Sequence, residues 1–153
     1  MNAINQMVET ATKECKAHGV PITSKRVNIF SILLLSQKAV SAYELADSYQ
    51  DLFGQPVPVI TVYRVLEFLE RKNLVHKLET ENKFVVCNQG KCDHKHPPSQ
   101  FLICKQCLKV TELSMSNAKL KELIEMVELA GFHLKSPQLE MNCICNVCYN
   151  KSE

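Results

Sequence analysis

Two cysteine pairs, Cys104-Lys105-Gln106-Cys107 and Cys145-Asn146-Val147-Cys148, constrain this chain more than any other feature. A CxxC turn directs both sulfurs to one side, so two such turns close a tetrahedral four-sulfur cage around Zn²⁺. One pair alone also suits a thiol–disulfide couple; two well-separated pairs point to a structural zinc site. Cysteines that only fill apolar space seldom fall into two such pairs. The apolar run Phe101-Leu102-Ile103 before the first pair, and Val110 after it, predict strands joined by a metal-stapled turn. A tie of this kind stabilises a domain whose own core is thin.

The 153 residues suffice for one ordinary domain or two small ones. With 46% hydrophobic and 22% charged residues the chain has a soluble, globular profile. Its opening residues lack the apolar core of a signal peptide, and no apolar run reaches membrane-spanning length. The expectation is a cytoplasmic chain with no membrane partner, where thiols stay reduced and clustered cysteines bind metal. Residues 1–82 carry nine Lys and Arg against nine Asp and Glu, and the remainder nine against seven, which accounts for the net charge of +2. Global charge therefore makes no case for nucleic acid, and any such case rests on local geometry.

In the first half, Ile4, Met7, Val8, Ala11 and Cys15 fall at helical spacing, and His18-Gly19 supplies a stop. Cys15 lies on the apolar stripe and reads as core. Thr23 is an N-cap for a second helix through Val27, Phe30, Leu33 and Leu34. Ser41-Ala42-Tyr43-Glu44 is a capping box that opens a third helix, ended by Gly54. After the turn Gln55-Pro56-Val57-Pro58, a fourth helix buries Val62, Val65, Leu66 and Leu69 and stops at Asn73. Leu74–Glu79 and Lys83–Cys87 read as two short strands. Three helices, a further helix after a tight turn and a hairpin describe a winged helix-turn-helix. Its fourth helix offers Thr61, Tyr63, Arg64 and Arg71, residue types that contact phosphates and base edges, and Tyr43 at the start of the third helix is a weaker candidate.

In the second half, residues 88–99 form a polar, turn-rich stretch dense in Cys and His, read as a linker or metal-binding loop. Asn117 is a candidate cap for a helix with Leu120, Leu123, Ile124 and Val127 on one face, stopped by Gly131. Phe132–Leu134 and Leu139–Ile144 read as strands leading into the second CxxC. The result is a small mixed α/β unit that zinc and dimerisation would help to stabilise. Of the eight cysteines the cage takes four. Cys143 competes with Cys145, and the tighter turn favours Cys145. Cys87 ends the hairpin with His76 on the partner strand; with His94 or His96 and Glu112 it makes an N/S/O set suited to a second Zn²⁺. Cys92 remains spare.

An enzyme is disfavoured, and no small-molecule substrate is expected. A zinc deaminase needs H-x-E ahead of P-C-x-x-C, but Ile103 precedes Cys104 and His94-Lys95-His96 contains no Glu. A zinc protease motif H-E-x-x-H is absent.

The order of helix-turn-helix with Thr61-Val62-Tyr63-Arg64, Cys104-x-x-Cys107, Val110 to Glu112 and Cys145-x-x-Cys148 resembles the ferric uptake regulator family of bacterial metal-sensing repressors. Within it, Leu74-Val75-His76-Lys77-Leu78-Glu79 and the strand ending in Cys87 are similar to the zinc uptake branch. That resemblance implies an α+β chain with a winged-helix DNA-binding domain over 1–82 and a dimerisation and metal-binding domain over 83–153. It implies two Zn²⁺ per chain, one structural in the four-cysteine cage and one regulatory on His76, Cys87, His96 and Glu112, with His94 as a substitute for His96. It further implies a homodimer that represses zinc-uptake genes from a palindromic operator. The alternative within the family is an iron- or peroxide-sensing regulator; Cys87 and Cys92 keep the peroxide-sensing reading open.

Overall fold

The computed structural model describes residues 2–17, 19–88 and 98–152. The chain divides into two compact units, Met1–Lys95 and His96–Glu153.

The first unit holds α1 (Asn2–Ala17), α2 (Ser24–Ser36), α3 (Ala42–Phe53) and α4 (Val59–Arg71), then β1 (Val75–Leu78) and β2 (Lys83–Val86). Local chemistry sets most of these limits. Thr23 accepts a hydrogen bond from the Arg26 N–H at the head of α2. At α3 the capping box is complete: Ser41 Oγ accepts from the Glu44 N–H at 3.1 Å, and Glu44 Oε2 accepts from the Ser41 N–H at 2.8 Å. Gly54 closes α3 in the left-handed region, and Asn73, at φ 57°, turns the chain from α4 into β1. Ile29, Phe30, Leu45, Val62, Leu66 and Leu69 are buried where α2, α3 and α4 meet, and Ala11 closes this core from α1. Cys15 is buried beside Ala11, as its place on the apolar stripe predicts, but it is disulfide-bonded and not a free thiol.

β1 and β2 form an antiparallel hairpin in the register Val75↔Val86, His76↔Val85 and Lys77↔Phe84. Val75 and Phe84 face the helical core. On its other edge β2 is held by Val40, which exchanges two backbone hydrogen bonds with Phe84 at 2.8 and 3.0 Å. This is the winged helix-turn-helix expected from the sequence.

The second unit is a three-stranded sheet in the order β4 (Val110–Ser114), β3 (Ser99–Cys104), β5 (Leu139–Cys143), with α5 (Asn117–Leu129) and α6 (Asn146–Lys151). β3 pairs antiparallel with β4 and parallel with β5, so α5 lies in the crossover that a parallel pair requires. Three expectations change here. Ser116, not Asn117, caps α5, because its hydroxyl accepts from the Lys119 N–H. Residues 132–134 are not a strand: past Gly131 (φ 86°) the Phe132 N–H bonds the Val127 carbonyl and completes the end of the helix. The second CxxC is not a plain turn but the start of α6. No residue of α5 is buried; its apolar face is only half covered. Among the described residues no helix is long and apolar enough to cross a membrane.

Candidate functional site

β3 ends at Cys104, where two hydrogen bonds close the first CxxC turn: Cys104 N–H to the Lys109 carbonyl and Leu108 N–H to the Cys104 carbonyl, each 2.9 Å. The closure places Leu108 in the left-handed region at φ 64°. Parallel pairing sets Cys143 of β5 opposite Cys104. Two residues later Cys145 is the N-cap of α6, and Cys148 lies in that helix's first turn. The sulfurs of Cys104, Cys107, Cys145 and Cys148 thus converge within 4.8 Å of one another, with Cys107 and Cys145 3.7 Å apart. A zinc tetrahedron with Zn–S bonds of ~2.3 Å has S···S edges of about 3.8 Å, so the cluster fits that ion. Cys104 and Cys148 are buried, while Cys107 is exposed. Cys143 lies outside the cluster and lines an adjoining cavity of about 320 Å³ with Cys104 and Cys145.

The four thiols are not equivalent. Hydrogen bonds from the backbone N–H groups of Cys107 and then Cys145 pull Cys104 down to about 6. Cys145 is lowered chiefly by the Cys148 N–H. Cys148 is pushed up to about 12 by its hydrogen bond with Cys145 and by burial. The shifts run in opposite directions within one hydrogen-bonded set of sulfurs, so the metal-free cluster shares its protons and a Zn²⁺ bound by four thiolates must expel those that remain.

The hairpin builds a second ligand pair within the first unit. Directly opposed residues of an antiparallel pair share a face, so His76, Val85 and, two residues on, Cys87 point the same way. The Cys87 N–H bonds the Leu74 carbonyl at 2.9 Å and extends the ladder by one residue. The imidazole nitrogen of His76 and the sulfur of Cys87 lie within 4.8 Å of one another. Cys87 is fully buried and His76 Nε2 is shielded from solvent.

In the second unit Glu112 stands on β4 opposite Phe101. Ser99, 4% exposed and on the same face, donates its hydroxyl to Glu112 Oε1 at 2.9 Å. The sequence reading missed this orienting contact, which becomes visible only through the β3–β4 register. His94, His96 and Cys92 lie outside the described residues.

On α4, Val62, Val65, Leu66, Phe68 and Leu69 are buried, and Arg64 and Arg71 are exposed on the opposite side. Thr61 is half-buried, and so is Tyr63, which packs against the helical core. Tyr43, one residue into α3, is 63% exposed.

Comparison with known proteins gives this arrangement a context. The zinc uptake regulation protein of Escherichia coli (strain K12) is 29% identical over 143 residues, covering 94% of this chain and 81% of that protein. A ferric uptake regulation protein of Synechococcus elongatus is also 29% identical, covering 88% of this chain and 90% of its own. Among solved structures, a zinc uptake regulator complexed with zinc and DNA matches with a TM-score of 0.83 at 27% identity, over 97% of both chains. Holo XcZur matches at 0.79 and 30% identity, over 95% of this chain and 99% of that one. The model of the ferric uptake regulator family matches residues 17–142. The winged helix, the four-cysteine cluster and a family match over most of its length agree: this chain belongs to the ferric uptake regulator family of metal-dependent, DNA-binding transcriptional regulators, which are not enzymes.

Proposed function

We propose that this chain is a cytoplasmic, zinc-responsive repressor that acts as a homodimer on a palindromic operator, controlling genes of zinc uptake. The observation that carries the zinc assignment is the His76–Cys87 pair on one face of the hairpin. A thiolate beside an imidazole favours Zn²⁺ over Fe²⁺ or Mn²⁺, for which oxygen and nitrogen ligands predominate. The similarity to a regulator complexed with zinc and DNA supports the same reading. In this account each chain holds two Zn²⁺. Cys104, Cys107, Cys145 and Cys148 hold the structural ion. His76, Cys87, His96 and Glu112 hold the regulatory one, with His94 as the substitute for His96.

The regulatory ligands come from both halves of the chain. His76 lies in the hairpin that follows α4 and Cys87 extends it by one residue, and Glu112 belongs to the second unit. Holding one ion with both sets fixes the reading helices of a dimer for a two-fold operator, a coupling of about 1–3 kcal/mol in typical allosteric systems. Tyr43, Thr61, Tyr63 and Arg64 make the DNA contacts. Dimerisation is supported by the apolar surface that the second unit leaves uncovered, with Leu129 90% exposed and Phe132 70% exposed.

The test combines metal content of the purified protein with DNA binding across buffered free-metal series. The proposal expects two zinc per chain and tight binding driven by free zinc. Binding driven by Fe²⁺ or Mn²⁺, or abolished by mild peroxide under otherwise reducing conditions, would instead establish the iron- or peroxide-sensing alternative.

A further inference from the structure

The outer face of α4 carries Ile60, Arg64, Glu67 and Arg71, all exposed, at intervals of four, three and four residues. That spacing makes one continuous stripe along a helix. Three of its members are charged and one is not. Ile60 is 61% exposed and is not among the residues of the helical core or those packed against it, whereas the neighbouring Val59 packs on that core and Val62 is fully buried in it. A single exposed aliphatic residue is ordinary on a protein surface. Its position is what gives it meaning: the first turn of the helix, one turn ahead of Arg64 on the same stripe, with Pro58 contributing no side-chain cap over it.

Helix-turn-helix proteins present the N-terminal residues of the reading helix to base edges. An isoleucine there has no hydrogen bond to offer. The one apolar group that a base pair displays in the major groove is the 5-methyl of thymine. We propose that Ile60 is a specificity-determining residue that selects a thymine in each operator half-site by packing on its 5-methyl group; this rests on the reading of α4 as the DNA-reading helix. Four residues of helix rise span about 6 Å, or roughly two base-pair steps of about 3.4 Å. The selected thymine therefore lies within about two base pairs of the base that Arg64 meets.

The test uses duplexes enriched from a random pool by the zinc-loaded protein. Each thymine of the enriched site is then replaced singly by deoxyuridine, which removes the methyl and leaves every hydrogen-bonding atom in place. Wild type and Ile60→Ala are compared at fixed salt and saturating zinc, with melting temperatures measured to show that both are folded. One thymine per half-site should weaken wild-type binding about fourfold when replaced, the factor for one methyl-sized group. The same replacement should leave Ile60→Ala binding unchanged, which isolates the pair. Ile60→Val should retain part of the discrimination. If every deoxyuridine costs wild type and Ile60→Ala the same factor, the methyl contacts belong to other side chains such as Tyr63 and the inference is overturned alone. A zinc-loaded protein that enriches no duplex overturns the DNA-reading assignment and this inference with it.

Discussion

Cys148 and Cys104 stand at opposite ends of the proton ladder in the sulfur cluster, and that separation makes metal loading a measurable acid–base event. Cys104 is pulled down to about 6 and Cys148 is pushed up to about 12. Zn²⁺ held by four thiolates displaces whatever protons the metal-free cluster shares, so loading should release protons, and zinc affinity should weaken as pH falls and more thiols hold protons. Titrating zinc into metal-free protein in two buffers of different ionisation enthalpy counts those protons, and no release would contradict the four-thiolate assignment. Cys104→Ser and Cys148→Ser should each lose about one zinc per chain and destabilise the second unit. Cys143→Ser should keep that zinc, because Cys143 stands outside the cluster. Elemental analysis separates these outcomes, and loss of the ion from Cys143→Ser would overturn the ligand set.

At the scale of elements, α3 is fixed at its start by reciprocal hydrogen bonds between Ser41 and Glu44 and by an ion pair from Glu44 Oε1 to Lys83 of β2 at 3.5 Å. Ser41→Ala should cost about 1 kcal/mol, read as a lower unfolding midpoint in denaturant. The Ser41 backbone N–H, with help from Lys83, holds the Glu44 carboxyl below its ordinary value. Its stabilising contribution is therefore present above the unfolded carboxylate range and lost as pH falls through the folded value. The melting-temperature gap between wild type and Glu44→Gln should be open at pH 7 and narrow toward pH 3. A gap independent of pH would mean that the charge of Glu44 contributes nothing.

Such caps are why the first unit was legible in the sequence. Thr23, the Ser41–Glu44 box, Gly54 and Asn73 each act through neighbours a few residues away, so the chain states them locally. α6 was not legible: it has six residues and begins inside a metal-binding motif that is usually read as a turn. The failed strand at residues 132–134 has a related cause, since apolar residues announce that they seek cover but not which partner supplies it. α5 makes the same point: its stripe is plain in the sequence, yet no residue on it is buried. Ser99 reaches Glu112 through strand pairing alone, which no local pattern encodes.

For the whole molecule, the proposed account joins two activities that single substitutions should separate. Arg64→Ala should lower affinity for the enriched operator, with a bidentate guanine contact worth roughly 1–3 kcal/mol per half-site, while leaving metal content unchanged. An even loss across all sequences, with a shallower salt dependence, would reduce Arg64 to a phosphate contact. Cys87→Ser should do the converse. It leaves α4 and the four-cysteine cluster intact and removes the soft ligand paired with His76. The most direct measurement is operator affinity of wild type and Cys87→Ser across a buffered free-zinc series under reducing conditions. The account predicts that wild type gains affinity as free zinc rises, and that Cys87→Ser keeps one zinc per chain but shifts to much higher free zinc or loses the response. A Cys87→Ser protein with the wild-type zinc response would contradict it.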